Sequence, residues 1–370
     1  MSPYFNFKTK TMIKHNVIKT LSFALLIATI SALQSCTKSS SPAPTIGDWV
    51  FNNAFGGGNR SNAVAFGIGG NVYYGTGFSG TFRYSDFWQY NPATGFWTQL
   101  NDVPNNPLGP GRSEAIGFSI ESSGKGYVGL GYDGINLFKD FYEFDPAANS
   151  WTQKADFGTA TPALSHPPLG RYGAVAFSMG NYGYVGTGYD NGPRNDFYKY
   201  DPSSDTWSQI AGFPGNPRMS ALAFVANKRA YVGTGISTGA STLYQKDFYA
   251  YDTTINTSTG FPNGWVQKAS LENGYDLKRY GAAAFALNDR GYLTTGTYTS
   301  PVNTTWEYIT DNAPGGLGQW VQKGNFEGAI RTGASGVSIN NGTRGFVIGG
   351  KNGNTIYNDL WEFFPFSVQE

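Results

Sequence analysis

One pattern returns six times along this 370-residue chain, and it limits the possible folds more than any other feature. An Arg opens each copy, at positions 60, 112, 171, 218, 279 and 331. A glycine pair ends the second strand of each copy, at Gly75/Gly77, Gly129/Gly131, Gly186/Gly188 and Gly233/Gly235, with Gly296 alone in the fifth copy and Gly349/Gly350 in the sixth. An Asp precedes the third strand at 86, 140, 196, 247 and 359, and Thr304 takes its place in the fifth copy. A Trp closes the copy at 97, 151, 207, 265 and 320, whereas the sixth ends at Phe363-Phe364-Pro365 without one. The missing Trp stands at the other end of the chain. Asp48-Trp49-Val50-Phe51 places it 11 residues before Arg60, the spacing that also separates Trp207 from Arg218 and Trp320 from Arg331.

A repeat of this length, rich in Gly and aromatics, is one supersecondary unit that buries its apolar face only against a neighbour. The chain has 50 Gly, 16% aromatic and 14% charged residues, which suits short strands and tight turns and disfavours helices. These features predict an all-β six-bladed β-propeller over residues 47–370, with four antiparallel strands per blade. The strand near Trp49 is expected to complete the last blade. That closure removes a free sheet edge.

The repeat resembles the kelch family, whose units carry a Gly pair followed by a Tyr and a Trp separated by six residues. Tyr90/Trp97, Phe144/Trp151 and Tyr200/Trp207 keep that spacing, while Tyr251/Trp265 and Tyr308/Trp320 stretch it with insertions. The resemblance implies the propeller and leaves function open, since one fold hosts many activities. Galactose oxidase, a kelch enzyme, needs two His, tyrosines and a Cys cross-linked to Tyr. Downstream of the leader this chain has His166 alone and no Cys beyond Cys36, so copper-radical chemistry is excluded on ligand count. No serine-nucleophile motif, metal-ligand cluster or phosphate loop appears, and the chain calls for no cofactor and no metal.

The N-terminus reads as an export signal. Lys14 and Lys19 precede a 13-residue apolar run, Leu21 to Leu33, too short to span a bilayer comfortably. Counting from Met12 gives a signal of ordinary length. The run ends Leu33-Gln34-Ser35-Cys36, which resembles the bacterial lipobox. That resemblance implies cleavage before Cys36 and its lipidation, with residues 1–35 as signal, 36–46 as tether, and a membrane as partner through the anchor. Thr37 in place of Asp points to the outer membrane, facing the periplasm. The first 35 residues hold four Lys and no acid, which leaves 22 basic against 25 acidic residues in the mature body, about −3. No basic stripe exists to neutralise phosphates, so nucleic acid is not an expected partner. The mature chain is read as a monomer.

Departures from the repeat mark candidate binding residues. Loops past the glycine pair carry Tyr132, Asp133, Tyr189, Asp190 and Tyr298, and the position after the Arg carries Tyr172 and Tyr280. Aromatics beside carboxylates at one mouth of the channel suit a glycan or a peptide. Glu114 is the single acid two residues after an opening Arg. The six Arg residues recur with the Asp residues, which favours a structural pairing. The sequence therefore favours a non-catalytic binding module for a glycan, peptide or protein. The alternative is a sugar-active enzyme, similar to the periplasmic six-bladed kelch proteins that interconvert anomers of sialic acid. Glu114 would then be the base, and Arg112, Arg171 or Arg331 the carboxylate receptor. Insertions around 155–170, 236–246 and 253–264 distinguish individual blades.

Overall fold

The computed structural model describes residues 45–104, 111–159, 169–238, 243–254, 264–271, 277–311 and 316–369. Residues 1–44, with Cys36, and the segment holding His166 lie outside them, while the last expected tether residue, Ile46, already belongs to a strand. The described residues form six four-stranded antiparallel sheets. Blade 1 runs Val64–Ile68, Asn71–Gly75, Phe87–Asn91 and Phe96–Leu100. Blades 2 to 5 repeat that order, with first strands Ile116–Ile120, Val175–Met179, Leu222–Ala226 and Ala283–Leu287. Blade 6 takes its first three strands from the C-terminus (Ser335–Ile339, Arg344–Ile348, Asp359–Val368) and its outermost strand, Ile46–Ala54, from the N-terminus. First strands of successive blades touch all the way round, including blade 6 against blade 1.

The first strands show the alternation that a channel wall requires. Val64 and Phe66 are buried between blades, while Ala65 and Gly67 face the channel. Tight hairpins follow where the sequence supplies residues tolerant of the left-handed region. Asn227/Lys228 and Asn288/Asp289 have φ values of 48°/58° and 49°/60°, the signature of a two-residue turn whose twist matches the strands.

The glycine after each second strand is fixed by geometry. Gly77, Gly131, Gly188, Gly235, Gly296 and Gly350 sit at φ of +88° to +99°. A Cβ there would lie about 3.0 Å from the Ala three residues after each opening Arg (Ala63, Ala115, Ala174, Ala221, Ala282, Ala334). Each of these glycines donates its N–H to the carbonyl of the next blade's Arg at 2.8–2.9 Å, and Gly350 closes the circle onto Arg60. The earlier glycine of the pair is less strict. In blade 6 the register places Ile348 at that position, so Gly349 stands one residue later than the first glycine of the other pairs while Gly350 keeps the second position. In blade 5 Thr294 stands there, opposite Thr305 where blades 1 to 4 have Phe. The smaller Thr305 makes room, and the two hydroxyls bond at 3.0 Å.

Every opening Arg has a fully buried side chain. Arg60, Arg112, Arg171, Arg218 and Arg331 pair with Asp86, Asp140, Asp196, Asp247 and Asp359. In blade 5 Arg279 reaches the Thr304 hydroxyl at 2.8 Å. Each guanidinium also donates to the carbonyl just past the second strand, at 2.8–3.0 Å. Four of them stack on a Phe six residues beyond a blade-closing Trp (Phe55, Phe157, Phe213, Phe326), a further repeat position that the sequence pattern contains. The pairs thus tie the entry to the first strand to the start of the third within each blade.

Blades adhere through aromatics. Phe141 of blade 2 meets Tyr200 and Trp207 of blade 3 at 4.9 and 5.0 Å, edge to face. Trp49 does the same for closure. It pairs with Phe363 across the ladder, lies 5.0 Å from Phe326, and donates its indole N–H to Thr305.

Candidate functional site

At the end of the channel where the Arg residues enter, the position two beyond each Arg takes a positive φ in all six blades: Asn62, Glu114, Gly173, Ser220, Gly281 and Gly333, at 51–64°. Their backbones form a closed belt. Each N–H donates to the carbonyl of the equivalent residue in the preceding blade at 2.7–3.1 Å, with Asn62 bonded to Gly333. The belt fixes the mouth to the scaffold and leaves only side chains to differ between blades. Three of the six are Gly, so the longer side chains spread over them. The Glu114 carboxylate lies 3.3 Å from where a Cβ of residue 173 would stand, and the Asn62 amide fills the equivalent space over Gly333.

Glu114 is the one acid of this belt. Burial pushes its carboxyl above the ordinary range, although the Lys351 and Arg83 cations pull it back. Burial and the Glu114 charge also raise the phenol of Tyr172, and both act on Tyr280. A carboxylate, two cations and two phenols from blades 1, 2, 3, 5 and 6 thus converge on one mouth.

Aromatics line its rim in two arcs. Tyr132, Tyr172 and Tyr189 stack in sequence at 5.5 and 5.4 Å. Arg83 extends this arc, lying 4.6 Å over Tyr132 and 4.8 Å over Phe78, and its guanidinium is held by the Ser113 hydroxyl and the Asp133 carbonyl at 2.9 and 3.0 Å. Across the mouth, Tyr244 meets Tyr298 at 4.9 Å and Tyr280 at 6.1 Å, and Lys278 lies over Tyr298. Exposed apolar tips, Phe82, Ile135 and Leu243, stand on the loops between second and third strands outside these arcs.

The tyrosines singled out from the sequence therefore come together, and the acids beside them do not join them. Asp133 caps its own turn, accepting from the backbone N–H groups of Ile135 and Asn136. Burial acts against its charge, but these bonds prevail and hold the carboxyl below the usual range. Asp190 is buried between Arg171 and Arg194. It is a structural counter-ion, a correction to its reading as a ligand contact. The same holds for Arg112, Arg171 and Arg331 as carboxylate receptors, because each is enclosed and committed to its blade Asp. Arg83 and Tyr244 escaped the sequence reading. Both occupy the position three before the repeat Asp, where the other blades carry Leu137, Pro193, Pro301 and Ile356, so each is a departure the repeat could have revealed.

Below the belt the channel narrows to a cavity of about 170 Å³ walled by Ala, Gly and main chain. It opens at the opposite face into a chamber of about 940 Å³ bearing Ser119, Ser178, Ser338, Glu121, Lys228 and Asp289. Among the described residues no group of three or more His, Cys, Asp or Glu is placed to hold a metal ion.

No family model matches this sequence, and no curated protein matches it. Among solved structures the architecture is widely shared. The YjhT structure superposes with a TM-score of 0.64 over 83% of this chain and 95% of its own, at 17% identity. At that identity the likeness establishes the six-bladed propeller and leaves the ligand to be argued from this chain's own side chains.

Proposed function

We propose that this chain is a kelch-type, lipid-anchored cell-envelope protein that acts as a non-catalytic binding module, presenting the tyrosine-lined mouth to a glycan, peptide or protein partner. The observation that carries this reading is the asymmetry of the mouth on a symmetric scaffold. Six tyrosines in two arcs, Glu114, Arg83 and Lys351 all occupy positions where the repeat is free to vary, while the repeat-defining Arg residues are enclosed. Aromatic faces with a few convergent polar groups suit sugar rings and extended peptides alike. Mature export, attachment through Cys36 and a position at the outer membrane facing the periplasm rest on the leader sequence.

The test is binding of the soluble body, residues 41–370, to a glycan array and a peptide array, followed by calorimetry on hits. Tyr172→Ala and Arg83→Ala should each lower affinity at least about tenfold while the protein stays folded, since aromatic and Arg anchors dominate such interfaces. Binding untouched by both variants would refute this assignment of the site.

A second reading, a sugar-active enzyme with Glu114 as general base, keeps one supporting observation: a carboxyl raised by burial within reach of two cations. Arg83 and Lys351 would replace Arg112, Arg171 and Arg331 as receptors in that case. Turnover of a sugar hit that disappears in Glu114→Gln, with binding retained, would favour it.

A further inference from the structure

The described residues expose fourteen large apolar side chains, and six of them sit on one ribbon: Ile46, Val50, Phe51, Phe364, Phe366 and Val368. The ribbon is the outermost pair of strands in blade 6, with Ile46 opposite Val368 at one end and Ala54 opposite Asp359 at the other. Its C-terminal strand, Asp359–Val368, is ten residues long, where the third strands of blades 1, 2, 3 and 5 have five. Only Leu360 to Phe363 pair with the next strand inward. The overhang beyond Phe363 pairs with the N-terminal strand alone.

This rim differs from the other rims at a defined repeat position. The residue two after the closing Trp is Gln99, Gln153, Gln209, Gln267 and Gln322 in five blades, and Phe51 after Trp49. Closure of the ring does not require that change, because Trp49 and Phe363 make the closing contacts while Phe51 is 53% exposed. Arg290 and Lys323 lie 5.9 and 5.7 Å from the Phe366 ring, and both pair with Glu307 with Lys323 buried, so they hold Phe366 in place and present little free charge. Scattered apolar residues are ordinary on a surface. Six exposed Phe, Val and Ile side chains concentrated on one projecting ribbon give an apolar rim that suits a membrane interface.

The chain itself says which surface is near. Thr45 bonds to Gln369 at the end of this ribbon, and nine residue steps separate it from Cys36. Fully extended, nine steps reach about 30 Å. We propose that the ribbon of Ile46–Phe51 and Phe364–Val368 is a membrane-surface contact, seated on the bilayer that holds the lipidated Cys36. The propeller then stands on its rim, and the tyrosine-lined mouth opens sideways along the membrane. This rests on the lipid-anchor reading. The short tether raises the local concentration of lipid around the ribbon, so a weak surface affinity is sufficient.

The test places a fluorophore on the full-length lipidated chain, reconstituted in phosphatidylethanolamine/phosphatidylglycerol vesicles that contain brominated lipid. Val50→Cys reports the ribbon, and Ser208→Cys reports the rim of blade 3. Quenching at position 50 and none at position 208 is expected, and it should disappear in the triple variant Phe51→Gln, Phe364→Ser, Phe366→Ser. Equal solvent exposure of both probes would overturn the proposal, as would cross-linking of position 50 between two copies in the same vesicles. The anchor is read separately from the mass of the N-terminal peptide. Should Cys36 carry no acyl chains, the same two probes are read on residues 37–370 held to nickel-chelating lipid by an N-terminal histidine tag, and absence of quenching there refutes the ribbon contact by itself.

Discussion

Replacing Asp140 with Ala removes the counter-charge of a guanidinium that no water reaches. Arg112 has a side-chain exposure of 0% and Asp140 of 7%, and the two share a bidentate pair of bonds at 2.7 Å each. In the variant, Arg112 keeps its bonds to the carbonyls of Leu130 and Pro104, at 3.0 and 3.1 Å, but loses the carboxylate. Breaking one side of a buried ion pair costs about 3–5 kcal/mol, since the surviving charge stays enclosed. Replacing both partners, as Arg112→Met with Asp140→Leu, should recover most of that loss, because an apolar pair of similar volume avoids burying charge. The contrast is Arg83→Met at the mouth, a half-buried cation whose removal should cost no more than about 1 kcal/mol. Urea unfolding of the soluble body, followed by both tryptophan fluorescence and far-ultraviolet circular dichroism, gives the three values once the two probes coincide. If Asp140→Ala unfolds at the wild-type midpoint and loses ligand instead, the reading of these pairs as scaffold is wrong.

Further outcomes follow from the same geometry. Trp49→Ala deletes contacts with Phe285, Phe326 and Phe363 and should cost about 3–5 kcal/mol, with new protease cleavage around residues 46–54 as the closing strand loosens. Gly69→Ala faces open space at φ +56° and should cost about 1 kcal/mol. Gly131→Ala, at φ +95° with the Ser113 carbonyl 2.9 Å from the new Cβ, should cost about 3 kcal/mol or more, measured by thermal unfolding of both variants. The Glu114 carboxyl is raised in the folded state, so the fold holds its proton more tightly than the unfolded chain does. Its stabilising effect is complete below the ordinary carboxylate range and is lost as pH rises through the folded value. Glu114→Gln should therefore remove that loss, so its urea midpoint gains on the wild type as pH rises from the acid range to neutral.

The sixfold repeat carries the architecture because each of its marks answers a local demand. Glycine recurs after the second strand since only it accepts φ near +90° against an Ala, and Arg recurs with Asp since each is buried with the other. The closing role of Trp49 was equally legible, as one missing Trp and one matching interval. Tyr132, Tyr172, Tyr189, Tyr280 and Tyr298 could be placed at one mouth from their offsets alone. What the sequence could not assign was which charges remain free there. Asp190 differs little in sequence terms from Asp133 or Glu114, each an acid at a variable position near the mouth, yet the fold encloses Asp190 and leaves Glu114 half-buried at the channel. Sequence spacing along a strand sets which face a residue occupies, but the partner that neutralises it comes from another strand or loop. Tertiary packing alone decided that Asp190 would face two guanidinium groups and that Glu114 would sit among the Lys351 and Arg83 cations and the Tyr172 and Tyr280 phenols.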